Sequence, residues 1–531
     1  MSLKISNNQV KPGETRVSRW INHWAEATPN KIAIIFGDQQ YSYSRLASAI
    51  AKLAAVFEHE FGIKEGDRVA YLGNNSPRII EALFACARTG AILVPLNWRL
   101  AVPELLKILA DAGASLLIVG EDQAGAATAI IEQLDSYRPV HAYQDPHCSS
   151  PGHSWPGLQA LQDQSEVAGT EIEDRSGQPV LILYTSGTTG WPKGAVLTQI
   201  TLLRSAQNSV AMHDMTADDR ILAVLPMFHA GGLNIQTLPA LYAGATVILH
   251  PGYGPEAVLA SIASDLPSLT ALVPAQINPL VAHSEWSTTD MNHLRCVTTG
   301  STFVPDSCIE PWIERGVVPL KVYGATETCA VAIHQTQANV DLTAGSVGFA
   351  AKHCQIRIVD NEGHDVTAGE RGQILIKGTN VFKEYWHNSE ATENALRGGW
   401  FHSGDIGYCR PDGSYVISDR KADLIISGGE NIYPAELEAV LDEHPEIAEA
   451  AVVGQLDERW GEVPVAVVVT KKASHLDSDG VRALFKNRLA RFKHPQRVML
   501  VDKLPRNAMG KVEKFELRKQ LSQDQEQSQG D

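Results

Sequence analysis

From Asp67 to Asn97 the chain reads DRVAYLG, then SPRIIEALFACARTG, then AILVPLN. The outer runs are aliphatic without polar alternation, and in the middle one apolar residues recur at helical spacing, so the stretch predicts strand, helix, strand. Strands that are apolar on both faces belong in parallel sheets covered by helices on each side. The pattern continues. KIAIIFG and the short YSY lead into the helical SRLASAIAKLAAVFEHEF, and ASLLIVG, QPVLILYTSG, RILAVLP, ATVILHP and LTALVPA add further buried strands. An α/β protein with largely parallel sheets is expected.

At 531 residues the chain exceeds the roughly 250–300 at which one hydrophobic core stops growing, so at least two domains are expected. From about Val347 the strands shorten and alternate with polar residues and glycine turns, as in QIRIVDNEGHD and RGQILIKG, which reads as a small β-barrel-like subdomain. After DRKADLIISGGENIYP come a helix, PAELEAVLDEH, two strands with a polar connection in AEAAVVGQLDERWGEVPVAVVVT, and a helix over DSDGVRALFKNRLARF. The expected division is a large domain over 1–419, a hinge at 420–423 and a small α+β domain over 424–531. The polar tail SQDQEQSQGD is expected to play no part in folding.

A net charge of −16 argues against nucleic acid and anionic membrane as partners, since both need a basic field. Any phosphate must be held by local groups. The seven cysteines, at 86, 148, 296, 308, 329, 354 and 409, include no CxxC and no metal-like spacing, and read as reduced thiols. The start, MSLKISNNQVKPGETRV, lacks an apolar leader, and no run approaches the ~18 apolar residues that span a bilayer. A cytoplasmic location is expected.

LYTSGTTGWPKGAV, Leu183–Val196, carries the most chemistry. Its glycines let backbone amides approach an anion, its hydroxyls donate to oxygens and its lysine adds charge, directly after a buried strand. This is the composition of a phosphate cradle, although the spacing differs from GxxxxGK[ST].

With that loop, the segments LPMFHAGGL, TTGSTF, VYGATETC, WFHSGDIGY, SDRKADLIISGGENIYP and PRNAMGKVEK stand in order along nearly the whole chain. In these the sequence resembles the adenylate-forming superfamily of acyl-CoA synthetases, luciferases and peptide-synthetase adenylation domains. The resemblance implies a carboxylic acid–CoA ligase working in two steps: acyl-adenylate and pyrophosphate form from acid and ATP, and CoA then displaces AMP. It implies ATP, Mg²⁺ and CoA. Thr185, Ser186, Gly187, Thr188, Thr189, Gly190 and Lys193 match the phosphate loop; Gly300, Ser301, Thr302, Tyr323, Gly324 and Ala325 match the adenine side; Thr326 matches an α-phosphate contact. Glu327, with Thr185, matches the metal partners, Asp405 the ribose-binding carboxylate, Arg420 a hinge residue near it, and Lys511 the catalytic lysine. Since Lys511 and Lys193 serve one triphosphate from different domains, the small domain has to close over the large one. In the family it then turns, bringing the loop Ser427–Asn431, with Gly428, Gly429 and Glu430, to a pantetheine tunnel. One departure is Ala422, where members commonly carry Asp or Lys near the pivot.

For the acid, His229 matches a gate residue with a catalytic part, and Gly231, Asn234, Gly300, Gly324 and Val331, with Ala332, are expected to line the pocket. His229 stands where amino-acid-activating domains place an aspartate for the ammonium, so amino acids are disfavoured. No carrier-protein segment follows Lys511, which favours free CoA. The small pocket residues leave aromatic acids, of the hydroxycinnamate or benzoate kind, level with medium-chain fatty acids. The alternatives are a luciferase-like monooxygenase that oxidises the adenylate, and a non-catalytic nucleotide-binding regulator. A homodimer is left open.

Overall fold

Two sheets organise the large domain, and their strands are the aliphatic runs. The computed structural model describes residues 16–134, 141–144, 157–165, 176–186, 192–300, 304, 308–360, 362–420, 425–471, 474–505, 512 and 514–529. The first sheet has nine strands in the order Phe349–Ala350, Ile333–His334, Val318–Tyr323, Cys296–Gly300, Leu269–Ala271, Arg220–Ala223, Thr246–Leu249, Ile32–Phe36 and Gln39–Ser42. Neighbours from Val318–Tyr323 to Ile32–Phe36 are parallel. Only the edges are antiparallel.

The second sheet has seven strands: Glu384–Tyr385, Pro192–Thr198, Pro179–Ser186, Ile92–Leu96, Arg68–Leu72, Leu116–Val119 and His141–Gln144. It is parallel from Pro179–Ser186 onward, and the two pairs before that are antiparallel. The helix Pro77–Thr89 is buried on every side but one residue, so it lies inside the protein and joins both sheets into a common core. Ser76 caps it by accepting from Arg78 N, Pro77 opens it, and Gly90 ends it at φ 79°.

The expected barrel-like subdomain is a four-stranded antiparallel sheet of Cys354–Val359, Gly372–Gly378, Phe401–Cys409 and Tyr415–Arg420. The next described strand, Ile425–Ser427, belongs to the small domain, and residues 421–424, with Ala422, lie outside the described residues. In the small domain the hairpin Ile447–Asp457 and Gly461–Thr470 is apolar on both faces. One face packs Val452, Ala466 and Val468 under the helix Pro434–Asp442. The other packs Val453, Val465 and Val467 against Leu517 and Leu521 of Lys514–Gln529.

One expected element is shorter than its spacing suggested. Over 477–492 the helix covers only Ser478–Ala483, and the chain then turns through Asn487 at φ 62° into the short turn Arg491–Lys493. Gly480 weakens the helix, and the bend buries Phe485 and Leu489 in the small domain's core. Among the described residues no helix is long and apolar enough to cross a membrane.

Candidate active site

Parallel strands end at one edge, and ligands of such sheets collect there. In the nine-stranded sheet those ends bring Leu225 and Pro226, Gly252 and Tyr253, Ala271 to Val273, Thr298 to Gly300, Val322 and Gly324 to Glu327 to a single cavity of 1670 Å³. The seven-stranded sheet adds Asn74, Trp98, Arg99 and Thr185 from its own strand ends, and Lys193 from the neighbouring strand. The small domain closes the third side with Ser427 to Glu430 and Tyr433. The space exceeds the ~300–1,000 Å³ of an ordinary small-ligand pocket.

The turn carrying Thr326 and Glu327 is held against its own strain. Cys329 and Ala330 follow at φ 54° and 76°, a left-handed pair without glycine, which costs about 1–3 kcal/mol per residue. Three groups clamp it. Phe382 N donates to Glu327 O at 2.7 Å, Asn380 Nδ2 donates to Thr328 O at 2.9 Å and Val331 O at 3.3 Å, and Ser205 Oγ donates to Cys329 O. Gly324 is required here: a Cβ would stand 2.1 Å from Ala330 O.

Glu327 Oε1 accepts from the Tyr385 hydroxyl at 2.6 Å, and Lys193 Nζ lies 5.5 Å from the Tyr385 ring centroid. Burial and the neighbouring Glu327 push that phenol far above its ordinary value, so it stays a donor. Asp405 is buried on the cavity wall, accepts from the Tyr323 hydroxyl at 2.7 Å and stands opposite Arg420 in the strand ladder.

Most expected site residues that are described meet in this cavity: Thr185, Lys193, His229, Gly231, Gly300, Gly324, Ala325, Thr326, Glu327, Asp405, Ser427, Gly428, Gly429 and Glu430. Gly187 to Gly190, Ser301, Thr302 and Lys511 lie outside the described residues, as do the side chains of Ser186 and Arg420. Two expected pocket residues stand apart from the cavity. Asn234 and Val331 are buried and do not line it; after the left-handed turn at Cys329 and Ala330, Ala330 faces the space and Val331 does not. Tyr323 likewise meets Asp405 without lining the space.

The sequence reading missed Arg99, which follows the strand Ile92–Leu96 in NWRL; a charged residue just past a buried strand was the available signal. Arg99 pairs with Glu430, whose other oxygen takes His229 Nε2 at 2.9 Å. Burial pushes the Glu430 carboxyl up, but His229 and Arg99 outweigh it and bring it down to about 2. Trp98 and Phe228 flank the Arg99 guanidinium, so the Arg99–Glu430–His229 contact is braced by two rings.

A second contact between the domains is buried. Lys493 Nζ donates to Glu104 Oε1 at 2.6 Å and to both oxygens of Glu436 at 2.8 and 2.9 Å, while Glu104 Oε2 also accepts from Ala490 N at 2.8 Å and Ala101 N at 2.9 Å. Glu104 comes from the large domain; the other two side chains belong to the small one. Burial raises the Glu436 carboxyl to about 7, with Lys493 opposing and Glu104 adding to the rise. Were the two domains to separate, Glu436 would return to water and lose Glu104, and its affinity for a proton would fall. The docked form therefore binds the extra proton, and docking weakens as pH rises through about 7. Glu430 acts oppositely: its contribution is present above the ordinary carboxylate range and is lost as pH falls toward about 2. Energy transfer between dyes on the two domains should drop as pH rises from about 4.5 to about 7, and Glu436→Gln should flatten that response. An unchanged response in the variant would remove Glu436 from the explanation.

The family model for AMP-binding enzymes matches residues 21–386, and that for the AMP-binding enzyme C-terminal domain matches residues 436–511. An indoleacetate–CoA ligase from Aromatoleum aromaticum is 46% identical over 94% of this chain and 97% of its own. A feruloyl-CoA synthase from Amycolatopsis is 38% identical over 94% of this chain and 98% of its own. Among solved structures, o-succinylbenzoate CoA synthetase from Bacillus subtilis, a double mutant bound with a product analogue, has TM-score 0.83 at 31% identity, covering 94% of this chain and 98% of that one. The same enzyme with its acyl-adenylate intermediate has TM-score 0.68 at 31% identity, covering 95% and 97%.

Proposed function

We propose that this chain, which belongs to the AMP-binding enzymes and is an AMP-forming acid–CoA ligase, activates an aromatic monocarboxylic acid of the arylacetic or arylpropenoic kind. The observation that carries this reading is the shape of the acid wall. From Ala271 to Ala282 and from Ala230 to Ile235 the described wall has no charged side chain. A second carboxylate would find no cation there. At Gly231 a Cβ would meet only Ile235 Cδ1, at an ordinary 3.6 Å, and the backbone is helical at φ −60°, so the protein's own packing and conformation do not demand glycine and its absent side chain leaves space for a ring. Thr299 is buried at 2% exposure on this wall, and its hydroxyl has no hydrogen-bond partner among the described residues, which suits a polar atom of the bound acid. The aromatic acids named for the two curated relatives support the same class.

In the first step a carboxylate oxygen of the acid bonds to the α-phosphorus of ATP and pyrophosphate leaves. The phosphate loop with Lys193 binds the leaving pyrophosphate, Thr326 and Lys511 meet the α-phosphate, and Asp405 accepts from the ribose hydroxyls. In the second step the CoA sulfur bonds to the acyl carbon and AMP leaves. Ser427 to Glu430 then form the thiol arm's channel, and Trp460 and Arg491 at the cavity mouth suit the CoA nucleotide. Among the described residues no three carboxylate, histidine or cysteine groups cluster as a metal cage. One hard carboxylate facing a phosphate site fits Mg²⁺, which takes few protein ligands beside substrate phosphates, so Glu327 and Thr185 would hold it. Bound there, it would neutralise phosphate charge. Among the described residues the six cysteines form no disulfide, which supports a reducing, cytoplasmic setting.

Pyrophosphate release measured with arylacetic, arylpropenoic, medium-chain alkyl and dicarboxylic acids tests the assignment. Higher kcat/KM for the alkyl acids than for any aromatic one would sink it. In the same assay Gly231→Val should lower kcat/KM for the best aromatic acid by about 10- to 100-fold while sparing short acids, because added carbons in a filled pocket cost roughly 1–3 kcal/mol.

A further inference from the structure

Tyr385 touches both charged groups at the nucleotide end of the cavity. Its hydroxyl reaches Glu327 and its ring lies beneath the Lys193 ammonium. Those two residues come from different sheets, so nothing local keeps them in register. The segment around Tyr385 does. Tyr385 pairs with Ala195 in the antiparallel ladder, and Lys383 N and Trp386 N donate to Val196 O and Gly194 O at 2.9 and 2.7 Å, just beyond Lys193. From the same segment Phe382 N donates to the Glu327 carbonyl at 2.7 Å. Five consecutive residues, Phe382 to Trp386, thus tie the strand of Lys193 to the turn of Glu327.

We propose that Tyr385 is a positioning residue for adenylation: its phenol orients the Glu327 carboxylate toward the cation that accompanies ATP, and its ring face aligns Lys193 with the triphosphate. The assignment rests on the reading of Glu327 as that cation's carboxylate. A phenol donor on one carboxylate oxygen stops the group rotating and leaves the second oxygen available. Hydrogen-bond partners behind a metal-binding carboxylate are worth about 10- to 100-fold in metal affinity. A cation–π contact of this kind is worth about two- to fivefold.

The test is calorimetric titration of the full chain with ATP alone, in EDTA and in Mg²⁺, for the parent, Tyr385→Phe, Tyr385→Leu and Glu327→Gln. The readout is the gain in ATP affinity that Mg²⁺ confers. Tyr385→Phe should reduce that gain about tenfold or more and leave the affinity in EDTA within about twofold. Tyr385→Leu, which also removes the ring, should weaken ATP in EDTA by a further two- to fivefold or so. Tyr385→Phe should have no additional effect in a Glu327→Gln background. If Glu327→Gln loses the gain while Tyr385→Phe keeps it, the Tyr385 assignment is overturned and the reading of Glu327 stands. If Glu327→Gln keeps the gain, the reading of Glu327 fails and takes the proposal with it. Because Tyr385→Phe retains the ring and its packing, a folding defect in the leucine variant leaves the decisive comparison intact.

Discussion

Lys493→Ala should lower thioester formation from a supplied acyl-adenylate by about 100-fold or more while acyl-adenylate formation stays near the parent rate. The lysine is buried at 3% exposure between Glu104 and Glu436, and its removal leaves two buried carboxylates facing each other. Breaking such a cluster costs about 3–5 kcal/mol, because an uncompensated charge remains out of water. That penalty belongs to the docked arrangement alone, since separation of the domains returns both carboxylates to solvent. Single-turnover rates for the two half-reactions measure it. Equal losses in both would point to general damage, and no loss in the second would mean that the cluster does not govern docking. Adding Glu104→Gln to the lysine variant should restore part of the rate by removing one of the stranded charges.

The converse is expected for Lys511→Ala. Pyrophosphate release should fall by about 100- to 1,000-fold, the usual loss for one donor to developing charge, while thioester formation from the supplied adenylate is largely kept. The resemblance assigns Lys511 to the α-phosphate during adenylation, whereas the docked arrangement described here puts Ser427 to Glu430 in the cavity. Two lysines of one small domain would then serve different half-reactions. Parallel loss of both steps in the Lys511 variant would contradict that division.

Residues whose chemistry is concentrated in short segments were readable without coordinates. Thr326, Glu327, Asp405 and Gly428 sit in segments where hydroxyls, carboxylates and glycines crowd together, and the strands ahead of the first three were visible as aliphatic runs or alternations. Single residues whose roles arise from distant contact were not. Lys493 is 389 positions from Glu104, and Arg99 is 331 from Glu430; in ARFKHP and NWRL each reads as an ordinary surface cation. Tyr385 looked like one more aromatic residue on a strand, since its partners Glu327 and Lys193 lie 58 positions away and on another strand. Val331 was misassigned because proximity to a motif was taken as proximity to the site, which two left-handed residues undo. The helix over 477–492 failed for a related reason. Its apolar spacing was real, but the bend at Asn487 buries the same residues without helical backbone.

The bond between Glu430 and His229 also sets a chronology. It joins a residue of the small domain to the side chain that the resemblance makes the acid's gate, so on that reading this side of the chamber is finished only once the small domain is docked. Acid and ATP would then have to be aboard beforehand, with the thiol arriving last. Isotope-trapping should therefore find labelled acid committed to product once the latch has formed, and free to wash out before it.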